Sequence, residues 1–398
     1  MEIKFFDNEN ITISKRKNRN EQHLTDEEIN IKYAEGEVRI VTEQARYQLP
    51  SIPTMLQSED YILNPEFQRR HRWDRGQKSR LIESFIMNIP IPPIFLYEKE
   101  YSTYEVMDGL QRLSAISDFY SDKFALGGLE FWTELEGKKY SQLPSLVKKG
   151  IDRRFLSAVI LLKETAKNEE EAKLLKQIVF ERINSGGTTL EYQESRNAFY
   201  AGRFNTLCKK LSRNKYFCKI FNIPEPTQDD VENEMPSDAL QRCDMFKKMK
   251  DVETVVRFFA MRYVGSFDMQ LKTFLDKFTE AANELPSEVL DQYADLFCKT
   301  IELVYNMFGD NAFGVWKSRN EEWEYIKTPN TFLYDPIMYV LSQRLDHADI
   351  LIQKKDEIGN GIKELYIANE ILRDGRKGSK QDILNRIQLF DEFFNKYI

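Results

Sequence analysis

Histidine and cysteine are both scarce in this chain, which has three histidines and four cysteines among its 398 residues. The cysteines are Cys208, Cys218, Cys243 and Cys298. They lie far apart and form no C-x-x-C pair, so the sequence argues against a disulfide framework or a thiolate metal site. The histidines are His23, His71 and His347. None belongs to an H-E-x-x-H or paired arrangement, which argues against zinc hydrolases and most histidine-based metal nucleases.

Long hydrophobic runs are also absent. Strongly apolar stretches such as residues 159–162 fall far short of the roughly 18–20 residues that cross a bilayer. The first 22 residues are highly charged and contain no apolar core of a signal peptide. We therefore expect a soluble, cytoplasmic protein that has no membrane partner.

The composition is that of an ordinary globular protein. Hydrophobic residues make up 41% of the chain and aromatic residues 13%, and this aromatic content is too high for a disordered chain. Lys and Arg number 57 against 64 Asp and Glu, which leaves a net charge of −7. This balance excludes a uniformly basic nucleic-acid coat, and the length predicts about two to three domains.

Sequence patterns divide the chain into four segments. Residues 1–35 are polar and rich in charge, and we expect them to form an N-terminal arm. Residues 36–222 alternate short β-branched or aromatic runs with helical periodicity, which is typical of an α/β domain. Residues 223–236 contain several prolines and acids and are predicted to be a linker or an exposed loop. Residues 237–398 follow the helix period almost throughout, which predicts a helical bundle domain.

Regular elements can be placed within the α/β domain. Apolar spacing predicts helices at residues 77–88 and 169–183. Short apolar runs predict strands at residues 94–97, 104–107 and 158–162. The second of these strands runs directly into a glycine-containing turn, which makes it the most informative of the three.

That turn is Asp108–Gly109, and a helical pattern follows it at once. A helix that starts at such a turn has unpaired backbone N–H groups, which favour anions. Gly109 would allow a ligand to come close, Arg112 would hold phosphate oxygens, and Asp108 would hold a divalent ion, a sugar hydroxyl or a water. The alternative is a structural Asp–Gly turn next to a surface arginine.

A second candidate is the basic segment at residues 64–80, which has six basic and two acidic residues in a chain that is acidic overall. The basic residues are Arg69, Arg70, Arg72, Arg75, Lys78 and Arg80. Phe67 and Trp73 are interleaved with them. Such a patch suits the phosphates of a nucleotide or a nucleic acid. The alternative is a solvated basic face whose aromatic residues anchor the core.

A third candidate is the glycine loop at residues 184–187, which contains Asn184, Gly186 and Gly187. Paired glycines allow the backbone to approach a ligand closely, so this loop could form one wall of a pocket. The alternative is that these residues only end one helix before the next one begins.

Four sequence blocks occur in a fixed order along the chain. They are FQR at residues 67–69, IPPIFLY at 91–97, DGLQR at 108–112 and FERINSGGTTL at 180–190, the last followed by RNA at 196–198. This order resembles the bacterial family called domain of unknown function 262. The family includes the N-terminal domain of GmrSD-type restriction enzymes and of SspE-like phage-defence proteins. The resemblance covers roughly residues 34–221.

The resemblance implies an α/β domain of ParB/sulfiredoxin-like fold. In the family the DGQQR motif binds, and in some members hydrolyses, nucleoside triphosphates, and so controls an attached or partner nuclease. In this chain Leu110 replaces the first Gln of the motif. The catalytic residues that the resemblance implies are Asp108, Arg112 and Arg69. The nucleotide-binding residues that it implies are Gln68, Gly109, Gln111, Asn184, Gly186 and Gly187.

The sequence therefore predicts a nucleotide-binding regulatory protein of a phage-defence or restriction-type system, whose ligand is a nucleoside triphosphate with Mg²⁺. Many relatives carry an HNH nuclease half with closely placed histidines, but after residue 72 this chain has only His347. We therefore expect a separate partner nuclease or effector protein.

Two other interpretations remain open. The first is a DNA-binding or DNA-nicking ParB-like module that uses a nucleic-acid patch of Arg70, Arg72, Arg75, Lys78 and Arg80. The second is a non-enzymatic scaffold. Hydrolysis of the nucleotide and assembly into a homo-oligomer are left open by the sequence.

Overall fold

The chain forms two compact units. The computed structural model describes residues 5–13, 25–34, 40–63, 73–166, 168–185, 192–227, 236–319, 322–372 and 379–398. One unit, which we call the sheet unit, is Asn18–Leu190. The other, the helical unit, is Met1–Lys17 together with Glu191–Ile398. The sequence predicted a charged arm at residues 1–35 and a linker or exposed loop at residues 223–236, and these segments stay predictions.

The sheet unit is built on a five-stranded mixed sheet in the order β1-β5-β3-β4-β2. Neighbouring strands are parallel in the pairs β3–β5 and β2–β4 and antiparallel in the pairs β1–β5 and β3–β4. The strands are β1 Thr42–Gln48, β2 Tyr61–Ile62, β3 Ile94–Glu100, β4 Thr103–Asp108 and β5 Phe155–Leu161. The helices are α1 Asp26–Ala34, α2 Ile52–Met55, α3 Arg75–Met87, α4 Leu110–Tyr120, α5 Ser145–Asp152 and α6 Glu169–Ser185. The predicted α/β class of this part of the chain is confirmed.

Local sequence signals account for the bounds of α3. Asp74 caps its first turn, because its carboxylate accepts from the backbone N–H of Gln77 while the Gln77 side chain accepts from the N–H of Asp74. Asn88 ends the helix in the left-handed conformation at φ 61°. Leu81, Ile82 and Phe85 face the core of the unit. The prediction of a helix that ends at Asn88 is therefore confirmed.

The opposite face of α3 orders the irregular loop that follows α4. The carboxylate of the buried Glu83 accepts three backbone N–H groups, from Phe131 at 2.8 Å, Trp132 at 2.9 Å and Glu130 at 3.2 Å. Burial alone would raise the pKa of Glu83, but these three donors outweigh it and the pKa lies below its ordinary value. Glu83 therefore stabilises the loop as an anion.

We expect Glu83→Gln to lower the free energy of unfolding of the sheet unit by about 1.5–3 kcal/mol at pH 7, because hydrogen bonds to a charged acceptor are lost. The pKa is lower in the folded than in the unfolded state. The contribution of the carboxylate is therefore fully present above about pH 4.3 and is lost as the pH falls through the folded pKa. Denaturant unfolding of both proteins at pH 7 and at pH 3 measures this difference.

The exposed neighbour Glu130 supplies a matched control, since Glu130→Gln removes a carboxylate that accepts no hydrogen bond from the described residues. This control should leave the unfolding free energy within about 0.5 kcal/mol of the wild type. A gap between wild type and Glu83→Gln that stays the same at pH 3 would contradict the proposed anionic role.

The helical unit contains two further strands and a large set of helices around one hydrophobic core. The helices of its first half are α7 Tyr192–Phe199, α8 Arg203–Leu211, α9 Lys215–Ile220, α10 Asp238–Arg242, α11 Asp244–Lys247 and α12 Lys250–Ala260. Those of its second half are α13 Leu271–Ala282, α14 Ser287–Phe308, α15 Thr331–Ser342, α16 Ala348–Gln353, α17 Lys355–Ala368 and α18 Lys380–Phe394. The prediction of a mostly helical C-terminal part is confirmed. Ser379 and Asp382 form a capping box at the start of α18.

An antiparallel hairpin, β6 Val315–Arg319 with β7 Glu322–Ile326, interrupts the helices between α14 and α15. The sequence pattern had suggested helix almost throughout, so this hairpin was missed. In the described part of the chain, no helix is both long and apolar enough to cross a membrane.

The N-terminal residues 5–13 pack into the helical unit. The Glu9 carboxylate is fully buried and accepts from both Nε and Nη2 of Arg262, at 3.1 and 2.8 Å. The hydroxyls of Tyr263 and Tyr293 donate to the same carboxylate at 3.0 and 2.7 Å. Phe6 packs beside them, with its ring 5.1 Å from the Arg262 guanidinium. This segment is therefore part of a folded core.

Candidate functional site

The DGLQR block, one of those that carry the family resemblance, lies at one edge of the sheet, where β4 ends. Strand β2 pairs in parallel with β4, with Tyr61 opposite Tyr104 and Ile62 opposite Glu105. Parallel strands end at the same edge, so the chain leaves β2 on the side where β4 reaches Asp108. The residues that follow, 64–72, lie outside the described part of the chain.

The chain is held at the same edge where the description resumes. The backbone N–H of Trp73 donates to Oε1 of Gln111 at 3.1 Å. Gln111 lies in the first turn of α4, three residues after Asp108. Trp73, directly after the gap at 64–72, therefore contacts the DGLQR block, whereas Ile62, just before the gap, pairs with Glu105 on the strand that leads into that block.

The strand–turn–helix geometry predicted for Asp108–Gly109 is present. A bulge at Met107 shifts the β3–β4 register, so that Phe95 pairs with Asp108 while Leu96 pairs with Val106. Gly109 then takes φ 99° and serves as the N-cap of α4, without a side chain to cap the first turn. A Cβ at this glycine would lie 2.3 Å from Cγ2 of Ile94. Only glycine fits there, because both the dihedral and the space exclude a side chain.

Arg112 links the DGLQR block to the IPPIFLY block. Its Nη2 forms an ion pair with Oδ2 of Asp108 at 2.6 Å, and its Nη1 donates to the carbonyls of Pro92 and Pro93, the latter at 3.1 Å. Its side chain is 13% exposed, against 34% for Asp108. Arg112 therefore already has three acceptors inside the domain, and it braces the turn against the start of β3.

The described residues of the basic segment are mostly engaged with the protein itself. Arg75 donates to the carbonyls of Ala125 and Leu126, both at 2.7 Å. Lys78 forms an ion pair with Asp118 at 2.8 Å. Arg80 is exposed on α3, and its guanidinium has no hydrogen bond or ion pair among the described residues. Four further residues of this segment lie in the undescribed stretch, namely Gln68, Arg69, Arg70 and Arg72.

The glycine loop is only partly described. Asn184 belongs to the last turn of α6, which ends at Ser185 and so extends slightly beyond the predicted helix. Gly186 and Gly187 lie outside the described residues. Helix α6 packs on β4, the strand that ends at Asp108, through an ion pair between Lys176 and the buried Glu105. The same lysine lies over the ring of Tyr97 at 5.5 Å.

Three features of this edge were missed in the sequence. They are the Pro92 and Pro93 carbonyls under Arg112, the bulge at Met107 and the pair Lys176–Glu105. Of these three features, only the first had a signal in the sequence. Pro92 and Pro93 have no backbone N–H and cannot continue regular hydrogen bonding, so their carbonyls are available to a side chain from another part of the chain. Among the described residues, no group of three or more His, Cys, Asp or Glu side chains could hold a metal ion.

Comparison with known proteins bears on this part of the chain. Neither the curated proteins nor the solved structures gave a match. Residues 52–201 match the family model described as GmrSD restriction endonuclease, N-terminal domain. The matched range is less than half of the chain and is narrower than the range of the resemblance. The match supports a GmrSD N-terminal family domain at residues 52–201 and, with it, a component of a restriction-type defence system.

Proposed function

We propose that this protein is a nucleotide-responsive regulator of a restriction-type system and that the edge at Asp108 binds the phosphates of a nucleoside triphosphate. The observation that carries the proposal is that Trp73, directly after residues 64–72, hydrogen-bonds to Gln111 of the DGLQR block, while Ile62, just before them, pairs with Glu105 on the strand that leads into it. In the sequence, the basic residues Arg69, Arg70 and Arg72 lie between these two attachment points.

The described residues supply complementary parts of a phosphate site. The first backbone N–H groups of α4 have no side-chain cap and carry the positive end of the helix dipole. Asp108 is partly exposed, and its Oδ1 makes no hydrogen bond among the described residues. That oxygen is suited to a Mg²⁺ ion or to a positioned water, as a triphosphate ligand requires.

The geometry changes the role of Arg112 within this proposal. Because its guanidinium already contacts Asp108 and two carbonyls, Arg112 positions the turn, and Arg69 becomes the principal phosphate ligand. The family resemblance is the reason to keep four further residues in the proposed pocket, namely Gln68, Asn184, Gly186 and Gly187. The ParB/sulfiredoxin-like fold and a partner nuclease stay predictions for the same reason.

We expect Arg69→Ala to weaken triphosphate binding by about 10- to 100-fold, the range that a charge-assisted hydrogen bond contributes. Isothermal titration of the full chain with each of the four ribonucleoside triphosphates, with and without Mg²⁺, measures this effect. Lys99→Ala is the matched control, since Lys99 is an exposed cation near the far end of β3 from Ile94. Product analysis of any nucleotide that binds tests hydrolysis.

The outcomes separate the competing functions. Equal affinity of wild type and Arg69→Ala would overturn the proposed site. Affinity for duplex DNA that falls steeply with salt, without triphosphate binding, would instead favour the DNA-binding module. Stable association with a partner protein, without binding of either ligand, would favour the scaffold.

A further inference from the structure

Strand β1 is the first strand in the sheet order, and its outer side is open along its whole length. It pairs with β5 on its other side over seven residues and without a bulge. The strand at the opposite end of the order, β2, has only two residues. Natural sheets blunt their edge strands by shortness, proline or bulges, because an open edge presents unpaired N–H and C=O groups to other chains. Strand β1 has none of these three devices.

The hydrogen bonds between β1 and β5 show which backbone groups of β1 face outward. At the two ends of the ladder, the N–H of Leu162 donates to the carbonyl of Val41, and the N–H of Leu49 donates to the carbonyl of Arg154, both at 3.1 Å. Residues that bond to the partner strand alternate along an antiparallel strand. The odd-numbered residues of β1 therefore bond to β5, and the backbone groups of the even-numbered residues point away from it.

These outward backbone groups are accessible. The N–H and C=O groups of Thr42, Gln44 and Arg46 make no hydrogen bond among the described residues, and all three residues are exposed. Ala45 and Tyr47, which alternate with them, are half-buried against the core of the sheet unit. The outer side of β1 is therefore able to pair with a further strand.

We propose that β1 pairs in antiparallel fashion with β1 of a second copy of this chain, so that one continuous sheet crosses a two-fold axis between the two copies. Such pairing brings outward-facing residues opposite outward-facing residues. Under this condition, only the register centred on Ala45 includes all seven residues of both strands. The proposal concerns the sheet unit and does not depend on nucleotide binding.

The side chains of β1 complement one another in this register. Gln44 lies opposite Arg46 of the second copy on the exposed face, where the amide oxygen is a suitable acceptor for the guanidinium. Glu43 lies opposite Tyr47, so neither charge of the strand directly faces a like charge. Ala45 lies on the axis, and its small side chain allows the approach of about 4.5 Å between the two Cα atoms.

The charge of β1 also favours a second copy as the partner. The whole chain carries a net charge of −7, so two copies repel each other overall. Strand β1 contains one Glu and one Arg and is therefore neutral. Two copies meet at this strand without adding to that repulsion.

Sedimentation velocity of the full chain over a concentration series tests the pairing. Gln44→Pro removes an outward N–H, and an edge strand tolerates proline where the N–H faces solvent. Gln44→Ala is the matched control, because it removes the same side chain and keeps the N–H. The two-fold axis makes each dimer lose two hydrogen bonds, so we expect Gln44→Pro to have a dimer dissociation constant about 10- to 100-fold above that of Gln44→Ala.

A cysteine scan tests the register. Under mild oxidation, Ala45→Cys should form a disulfide-linked dimer, because the two Cα atoms on the axis lie within the range of about 4.4–6.8 Å that a disulfide spans. Gln44→Cys and Arg46→Cys are the controls, since their equivalent Cα atoms are offset by two residues along the strands and lie more than about 7 Å apart. The wild type, treated in the same way, accounts for the four native cysteines.

Three outcomes would overturn the proposal. The first is a wild type that stays monomeric throughout the concentration series. The second is a Gln44→Pro variant that folds and dimerises as tightly as Gln44→Ala. The third is an Ala45→Cys variant that forms the cross-link no faster than the variants at its two neighbours, and this outcome is informative even if Gln44→Pro does not fold.

Discussion

Replacing Glu9 with alanine is expected to lower the free energy of unfolding of the helical unit by about 3–5 kcal/mol, the cost of removing one partner of a buried ion pair. The substitution removes the carboxylate that pairs with Arg262, whose side chain is 3% exposed. It also deprives the hydroxyls of Tyr263 and Tyr293 of their acceptor. A nine-residue stretch near the start of the chain thus contributes much of the stability of a unit whose other residues begin at Glu191.

Hydrogen exchange along a denaturant series, read on peptides from α14, reports the stability of the helical unit separately from that of the sheet unit. Asp7→Ala is the control, because Asp7 is exposed on the same segment and has no hydrogen bond or ion pair among the described residues. It should change the stability by less than about 0.5 kcal/mol. If both variants lower the free energy of unfolding by the same small amount, residues 5–13 do not stabilise the helical unit.

The second large effect is expected at Gly109. Gly109→Ala should lower the free energy of unfolding of the sheet unit by about 2–5 kcal/mol, the sum of a left-handed backbone penalty and an overpacking cost. The new Cβ would meet Cγ2 of Ile94 at 2.3 Å and Cβ of Ile94 at 2.8 Å. Since the turn would have to move away from β3, we also expect loss of triphosphate binding at this edge.

A second glycine separates the two contributions. Gly128 has φ 70°, but a Cβ there would have no atom within 4 Å. Gly128→Ala should therefore cost only the backbone part, about 1–2 kcal/mol. Hydrogen exchange along a denaturant series, read on peptides from α4 in the sheet unit, gives the comparison. Equal losses in the two variants would show that the contact with Ile94 is not what makes Gly109 necessary.

Local signals in the sequence were sufficient for several elements. The strands β3, β4 and β5, the helices α3 and α4 and the turn between β4 and α4 were all predicted, because hydrophobic period, caps and glycine act over a few residues. The hairpin β6–β7 was missed, since its alternation of aromatic and charged residues is short and stands among strong helical patterns.

Contacts between distant parts of the chain could not be predicted from such local sequence signals. Glu9 and Arg262 are 253 residues apart, and the segment around Glu9 shows no periodicity that would mark it as core. The charge of residues 1–35 suggested an N-terminal arm, but the Glu9 carboxylate is buried and stable because it accepts from five donors. Arg112 is a similar case, because a phosphate ligand and a structural brace look the same in the sequence.

The sequence by itself determined that an α/β part precedes a mostly helical one and that a glycine turn leads from β4 into α4. These features depend on side-chain patterning and on dihedral preferences that each short segment carries with it. Only the tertiary structure decided that Arg112 braces the proline carbonyls and that Glu9 is buried in the helical unit. Each of these depends on which groups are brought together and shielded from water, and that is a property of the folded chain as a whole.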